Sequence, residues 1–420
     1  MENFISFRIG SLIFKDSYQF MSSSLEKLVS NLKLQGEKEG SLKILFKHTY
    51  SYFKSVWSHL PEETFEFLTR KGVYPYSYMD SWDRLKERKL PPKESYYNCL
   101  TRKHISEDDY DFAQIQYSIF KLKNLKELHN LYMETDVALL ADVFEAFKSY
   151  CLTNYKLDPS HFFTAPSLSW SAALKYTKIE LELLRDATMS LFIDKLIVGG
   201  ISLIGHQFGQ SNNHYDRPNY KPGKDQAFIV YLDCNNQYGW AMKNYLPSHG
   251  FEWVENTDLE FWKSNIMNFQ FESNIGYFFE VDLTYPPALH DLHDTYPLAP
   301  EHTNITESML SSYQRMLAEQ LGSKVGGKKL CLTLEDKKHY RCHYMNLQLY
   351  LQLGLELTKV HRVLKFCQSP WLDPYIELNT KLRQSAKSKF EADQAKLMIC
   401  SVFGKTCKFF LDPTIILHKF

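Results

Sequence analysis

The sequence predicts an α+β fold on three grounds. Helical periodicity dominates the first 155 residues, apolar runs of strand length are confined to the middle of the chain, and a basic helical stretch follows them. The 420 residues carry 44% apolar side chains with 49 basic and 49 acidic groups, which is the composition of a folded chain and excludes a disordered or collagen-like one. At about 150 residues per domain the length suits two or three domains. A net charge of zero argues against indiscriminate electrostatic binding to nucleic acid or membrane and leaves room for a local basic groove.

Residues 22–33 open with serines that can cap a helix, and Ser106-Glu-Asp-Asp109 sets a capping residue before acidic side chains, which the helix dipole favours in a first turn. Gly72-Val-Tyr-Pro75 and Leu90-Pro-Pro92 are breaks. From 124 to 155 the apolar positions Leu128, Tyr132, Leu139, Leu140, Val143 and Phe147 recur at helical spacing, the strongest helix signal in the chain. The pattern changes after Asp158-Pro159, and strands are expected beyond Gly199-Gly200. Phe228-Ile-Val-Tyr-Leu232 reads as a strand buried on both faces, being short, unbroken and rich in β-branched and aromatic residues. Tyr277-Phe-Phe-Glu-Val-Asp282, 330–334 and 340–344 read as further strands, the last two joined through Glu335-Asp-Lys-Lys338 as a hairpin. From 372 to 405 the pattern is helical again, as two helices with a break near Ser388, and residues 381–405 hold six basic side chains against two acidic.

The longest nearly uncharged apolar run, 196–205, is about half of the roughly 20 residues that cross a bilayer. The amino terminus carries Glu2, Arg8 and Lys15 and lacks the pattern of a secretory signal, so an intracellular protein with no membrane partner is expected. The cysteines Cys99, Cys151, Cys234, Cys331, Cys342, Cys367, Cys400 and Cys407 form no Cys-x-x-Cys pair and are expected to be reduced thiols. Cys331, His339, Cys342 and His343 read as packed side chains of the expected hairpin before they read as metal ligands.

Residues able to carry chemistry stand out at three places. Asp136 lies on the apolar stripe of the long helix, four residues after Tyr132, whereas Asp142 and Glu134 lie off it. A carboxylate there needs a partner, which is a basic neighbour, donated hydrogen bonds, or a metal ion beside which Tyr132 orients a water. Asp233 ends the apolar run and precedes Cys-Asn-Asn-Gln-Tyr238-Gly, so it is either a turn former or a metal ligand beside an aromatic. In Lys396-Leu-Met-Ile-Cys400-Ser-Val-Phe403-Gly404 helical spacing puts Lys396, Cys400 and Phe403 or Gly404 on one face. Such a face suits a triphosphate under a stacked base, against the alternative of a solvated basic helix.

Taken in order, these segments resemble a family B DNA polymerase of the protein-primed branch, most closely the type encoded by Polinton (Maverick) transposons and related viruses. The similarity runs from about residue 11 to Thr406 and includes Lys71-Gly-Val-Tyr-Pro-Tyr-Ser-Tyr-Met-Asp80 and Asp158-Pro-Ser-His-Phe-Phe-Thr-Ala-Pro166. Tyr132-x-x-x-Asp136 resembles the third motif of the 3′-5′ proofreading exonuclease, which implies a metal-binding Asp136 and a water-orienting Tyr132. Gly199-Gly200 resembles the glycine pair of the Tyr-x-Gly-Gly loop that contacts DNA, with Ile197 at the tyrosine position. Asp233 to Tyr238 resembles polymerase motif A, implying that Asp233 binds metal and Tyr238 is the steric gate against the ribose 2′-hydroxyl. Lys396 to Gly404 resembles motif B, implying nucleotide contacts from Lys396, Ser401, Phe403 and Gly404; Cys400 replaces the family's asparagine. Arg383 and Lys387 are further candidates for phosphate contact.

The resemblance implies an RNase H-like exonuclease remnant over 1–155, a connecting segment with the Gly-Gly loop over 156–200, a palm over 201–365 with an insertion at about 250–345, and fingers over 366–407. Residues 408–420 diverge from the family. It also implies Mg²⁺ or Mn²⁺ as cofactor, and DNA primer-template, deoxynucleoside triphosphates and a terminal priming protein as partners. The first two exonuclease motifs, motif C and a thumb have no counterpart here, so the chain reads as a fragment of a larger polymerase. Two functions follow from this: a DNA-directed DNA polymerase, or a catalytically inactive remnant that at most binds DNA.

Overall fold

The computed structural model describes residues 6–206, 208–215, 218, 220–323 and 326–406. The divergent tail 408–420 and Cys407 lie outside the described residues. The chain forms two units, one from Met1–Thr177 with Pro374–Lys405 and the other containing Lys178–Asp373. The expected fingers segment therefore clusters with the helical front of the chain.

The first unit begins with an antiparallel hairpin of β1 (Ser6–Ile9) and β2 (Leu12–Lys15). Helix α1 (Leu25–Glu39) starts where the Ser24 side chain accepts from the Lys27 amide, and stops at Gly40, whose φ of 62° is the left-handed C-terminal turn that glycine adopts at no steric cost. Helices α2 (Lys47–Val56) and α3 (Glu107–Ile119) follow, α3 capped by Ser106 as the sequence predicts. The long helix α4 (Leu125–Tyr155) is capped by Asn124 and buries Leu128, Leu139, Val143 and Phe147 along the stripe. Phe20 stacks edge-on or tilted against Phe144 and Phe147, and Phe53 meets Phe65, so aromatic rings fill the space around α4 and α2. Helix α5 (Ala165–Thr177) closes this part of the unit.

One expectation on α4 is corrected. Asp142 is not an ordinary off-stripe residue: it is 1% exposed and accepts hydrogen bonds from the His48 amide (2.6 Å), the Thr49 amide (2.9 Å) and the Thr49 hydroxyl (2.6 Å). These amides open α2 and have no partner within their own helix, so Asp142 supplies the acceptor that α2 lacks.

The second unit contains α6 (Ala187–Asp194) and α7 (Gln237–Met242), then an antiparallel sheet in the order β3–β8–β4–β7. Its strands are β3 (Leu246–Val254), β4 (Ile275–Thr284), β7 (Lys337–His343) and β8 (Glu356–Ser369); the short strands β5 (Glu301–Asn304) and β6 (Lys328–Cys331) pair separately. Alternation along β4 sends Phe279, Val281 and Leu283 into a core with Trp262, Tyr344, Leu347 and Val363. On the opposite face Phe278 packs with Phe192 and Leu364, and Glu280 and Asp282 enter a charged network. Glu280, 4% exposed at its side chain, takes the Arg362 Nε at 2.6 Å, Arg341 at 3.0 Å and His339 Nδ1 at 3.1 Å. Both guanidiniums lie over the Phe192 ring, at 5.5 and 5.1 Å.

After β8 the chain returns to the first unit as α8 (Asp373–Gln384) and α9 (Lys389–Thr406), with the break at Ser388 where the sequence places it. Tyr155 donates to Asn379 at 2.6 Å, and Ser388 donates to Gln35 at 3.0 Å, so polar bonds tie both closing helices to the front of the chain.

Two strand expectations fail. Phe228 to Leu232 is not a buried strand: it has no regular structure, and Tyr231 and Leu232 are 93% and 85% exposed. β-propensity alone cannot hold a strand, because its amides and carbonyls need a neighbouring backbone, and no described segment supplies one. The hairpin through Glu335-Asp-Lys-Lys338 also does not form, since β6 pairs with β5 and β7 with β4. The buried amine of Lys337 bonds Glu301 at 2.9 Å and the Thr333 carbonyl at 3.2 Å, tethering the start of β5 beside β7. No helix among the described residues is long and apolar enough to cross a membrane.

Candidate functional site

The site on α4 is built from helical spacing. Asp136 lies one turn after Tyr132, so both project on one side of the helix. The Tyr132 ring stacks on Tyr74 at 4.7 Å, its hydroxyl shares a hydrogen bond with Tyr76, and Tyr74 bonds His129 at 2.8 Å. The segment Lys71 to Tyr76 thus lies along α4, and it can approach so closely because Gly72 has no side chain: a Cβ there would stand 3.0 Å from the Tyr132 ring.

Asp136 does not find the basic partner that a structural salt bridge requires. Its Oδ1 is buried with no hydrogen-bond partner, and no ion pair reaches it among the described residues. Burial pushes its carboxyl above the usual aspartate range, while the nearby Tyr132 hydroxyl and the more distant Lys71 amine favour the charged form without restoring it. Burial, with hydrogen bonds to Tyr76 and Asp136, holds the Tyr132 phenol protonated. A buried oxygen lacking a donor beside a neutral phenol fits a divalent cation and a water. Lys71 and Tyr76 complete this arrangement; the sequence marked their segment as a break and as part of the family resemblance, and assigned neither residue a role.

In the second unit, Asp233 is exposed and has no hydrogen bond or ion pair to the described residues. The turn after it is well determined by sterics. Asn236 takes a left-handed φ of 54° and opens α7, and a Cβ on Gly239 would meet the Asn236 amide at 2.4 Å. That turn sets Tyr238 in the first turn of α7, 54% exposed. A free carboxylate followed by a presented ring fits a cation-bound anionic substrate. Gly199, with φ of 87°, and Gly200 lie in an exposed segment after α6, and a Cβ on either would touch nothing within 4 Å.

Helix α9 is amphipathic in the manner the spacing predicts. Ala395, Met398, Ile399 and Val402 are buried, while Lys396, Cys400, Phe403 and Gly404 form an exposed face. The Met398 carbonyl accepts from Ser169 and, at 3.4 Å, from Tyr375, which fixes the buried side against α5 and α8. Ser401 is 7% exposed and belongs to the buried side, so it is not brought to the Lys396 face. Arg383 and Lys387 are exposed on and after α8. Cys331 and Cys342 fall on strands with different partners, and no cluster of metal-binding side chains occurs among the described residues.

No curated protein gives a significant match to the chain. Among solved structures it is similar to phi29 DNA polymerase in an orthorhombic crystal form, at 13% identity and a TM-score of 0.44, covering 93% of this chain and 48% of that one. It is similar as well to phi29 DNA polymerase with primer-template DNA, at 15% identity, a TM-score of 0.39 and coverage of 96% and 49%. The complex with primer-template DNA and incoming nucleotides matches at 14% identity and a TM-score of 0.39, with 93% and 48% covered. The chain thus spans about half the length of these polymerases. The profile of the family described as DNA polymerase type B, organellar and viral, matches residues 3–408, nearly the whole chain. The chain belongs to the organellar and viral type B DNA polymerases.

Proposed function

We propose that the protein acts as a DNA-directed DNA polymerase of the protein-primed type, replicating a mobile element or viral-type DNA, with a 3′-5′ exonuclease site at Asp136. The observation that carries the reading is the exposed Lys396–Cys400–Phe403–Gly404 face on a helix whose other side is fully packed, within a chain matched by the polymerase family along nearly its whole length. Lys396 neutralises phosphate charge, the Phe403 ring packs against the base, and Gly404 leaves room for close approach. Asp233 would hold Mg²⁺ or Mn²⁺, which when bound offsets the charge of the triphosphate. Tyr238 sits in the turn after it and limits space at the sugar. Gly199 and Gly200 leave open backbone for a DNA strand, and Ile197 gives that segment an apolar contact.

Asp136 would hold a divalent cation for the exonuclease, and Tyr132, kept neutral, donates a hydrogen bond to an attacking water. Nucleotide binding tests the polymerase reading: titrating a deoxynucleoside triphosphate with Mn²⁺ should give binding that Lys396→Ala weakens at least about tenfold, in line with a charge-assisted contact. Unchanged affinity in that variant contradicts it.

A second reading, that the chain binds DNA without extending a primer, is favoured by the isolation of Asp233. Two-metal transfer needs several carboxylates, and no group of three or more metal-binding side chains includes Asp233 among the described residues.

A further inference from the structure

The second unit encloses a cavity of about 450 Å³ whose lining includes neither Asp233 nor Tyr238. Its walls are the end of α6 with the residues after it, β7, and the β5–β6 ribbon. Strand geometry brings basic side chains in from two of these walls. His339 and Arg341, two residues apart on β7, both reach Glu280 and so share one face of the strand. In the ribbon, Asn304 pairs with Lys328 and His302 with Leu330, so His302 and Lys328 stand on one face and Lys329 on the other. Lys195 arrives from the C-terminal end of α6.

The β7 wall is held in a conformation that a non-glycine residue adopts only where its surroundings enforce it: His339 has φ of 52°. Its amide donates to Asp282 at 2.9 Å, its Nδ1 meets Glu280 at 3.1 Å, and its ring stacks on His361 at 3.9 Å. Positive charge is in excess around this wall. Arg341, Arg362 and Lys338 share the two carboxylates Glu280 and Asp282, and Glu301 is taken up by Lys337. Lys195 and Lys328 have no ion pair among the described residues, which leaves Asp194 as the lining carboxylate that opposes them. The Arg341 Nε is buried with no hydrogen-bond partner among the described residues, so a donor of this wall still lacks an acceptor.

From this arrangement we infer that the cavity binds a compact inorganic polyphosphate, with Lys195, Lys328 and Arg341 contacting its oxygens. A cavity of this volume is of the size that takes a small ligand. A nucleic-acid strand suits it poorly. Its lining offers no exposed Phe, Tyr or Trp ring, Tyr340 being 8% exposed, and a strand draws much of its affinity from stacking bases on such rings. An inorganic polyphosphate has no base to place and carries several charged acceptors within reach of one cluster of cations.

The test is isothermal titration calorimetry of tripolyphosphate into the full chain in metal-free buffer at low salt. Lys195→Ala and Lys328→Ala should each weaken binding at least about fivefold, and Lys328→Arg should keep it within about twofold of wild type. Lys329→Ala removes the same charge from the opposite face of β6 and should leave binding within about twofold of wild type. All three lysines are exposed, so none of these substitutions threatens the fold. No binding by wild type, wild-type affinity in both Lys195→Ala and Lys328→Ala, or an equal loss in Lys329→Ala overturns the site. Loss of binding in Lys396→Ala with Lys195→Ala and Lys328→Ala unchanged assigns the anion to the exposed face of α9 and overturns it too. An oligothymidylate that displaces tripolyphosphate at equal phosphate concentration makes the cavity a strand contact and equally overturns the inference.

Discussion

The sharpest consequence of the α4 site is that removing its carboxylate stabilises the metal-free protein. Asp136 Oδ1 is buried without a donor, and burial has already moved its carboxyl upward. An unsatisfied buried polar group costs about 1–3 kcal/mol, more when charged, and the Lys71 amine offsets only part of this. Asp136→Asn keeps the shape and drops the charge, so urea denaturation in EDTA at neutral pH should show the variant about 1–2 kcal/mol more stable than wild type. Excess Mn²⁺ should reverse the order, because an ion at about 100 times its Kd adds about 2.7 kcal/mol to the form that binds it. The pH dependence has a definite sign. The folded carboxyl titrates above its ordinary value of 3.8, so the folded state takes up the proton more readily than the unfolded one. Wild type is then strongest relative to the variant below pH 3.8 and loses ground as pH rises through the raised value. A variant weaker than wild type in EDTA, or stabilised equally by Mn²⁺, refutes the reasoning.

Other outcomes follow from the same geometry. Tyr238→Ala should relax sugar selection, raising ribonucleotide incorporation in a misincorporation assay; unchanged exclusion speaks against the gate. Glu280→Gln should lower unfolding free energy by about 2–4 kcal/mol, because it leaves Arg341 and the partly exposed Arg362 without their carboxylate, and denaturation within experimental error of wild type would contradict that. Burial among Phe278, Tyr344 and Phe366 pushes His343 down to about 4 from 6.5, so its folded imidazole stays neutral where the unfolded one takes a proton. That contribution is complete above pH 6.5 and is lost between there and about 4, by up to about 2–3 kcal/mol. His343→Asn retains an acceptor for the Met345 amide and should flatten this part of the stability profile; an identical profile in the variant would rule out His343 as its source.

Local physics explains which features were legible. The α4 helix was readable because its stripe and its Asn124 cap lie within the segment itself, and Asp136 stood out because a charge on that stripe conflicts with the burial the stripe predicts. Asp142 was misread for the complementary reason: its donors, His48 and Thr49, arrive from a helix more than ninety residues earlier. Phe228 to Leu232 has every local mark of a strand, and pairing depends on a neighbour the run itself cannot specify. The Lys337–Glu301 bond, which links the starts of β5 and β7, joins positions 36 residues apart and left no periodic trace. On α9 the 3.6-residue repeat correctly grouped Lys396, Cys400 and Phe403, and it equally sends Ser401 to the buried side despite its place in the motif.

The measurement that bears most directly on the polymerase reading is extension of a primed template by the purified chain in Mg²⁺, wild type against Asp233→Ala. The account predicts synthesis that EDTA and the substitution each abolish, since Asp233 is the carboxylate assigned to the metal. Synthesis that continues at the wild-type rate in Asp233→Ala would contradict it.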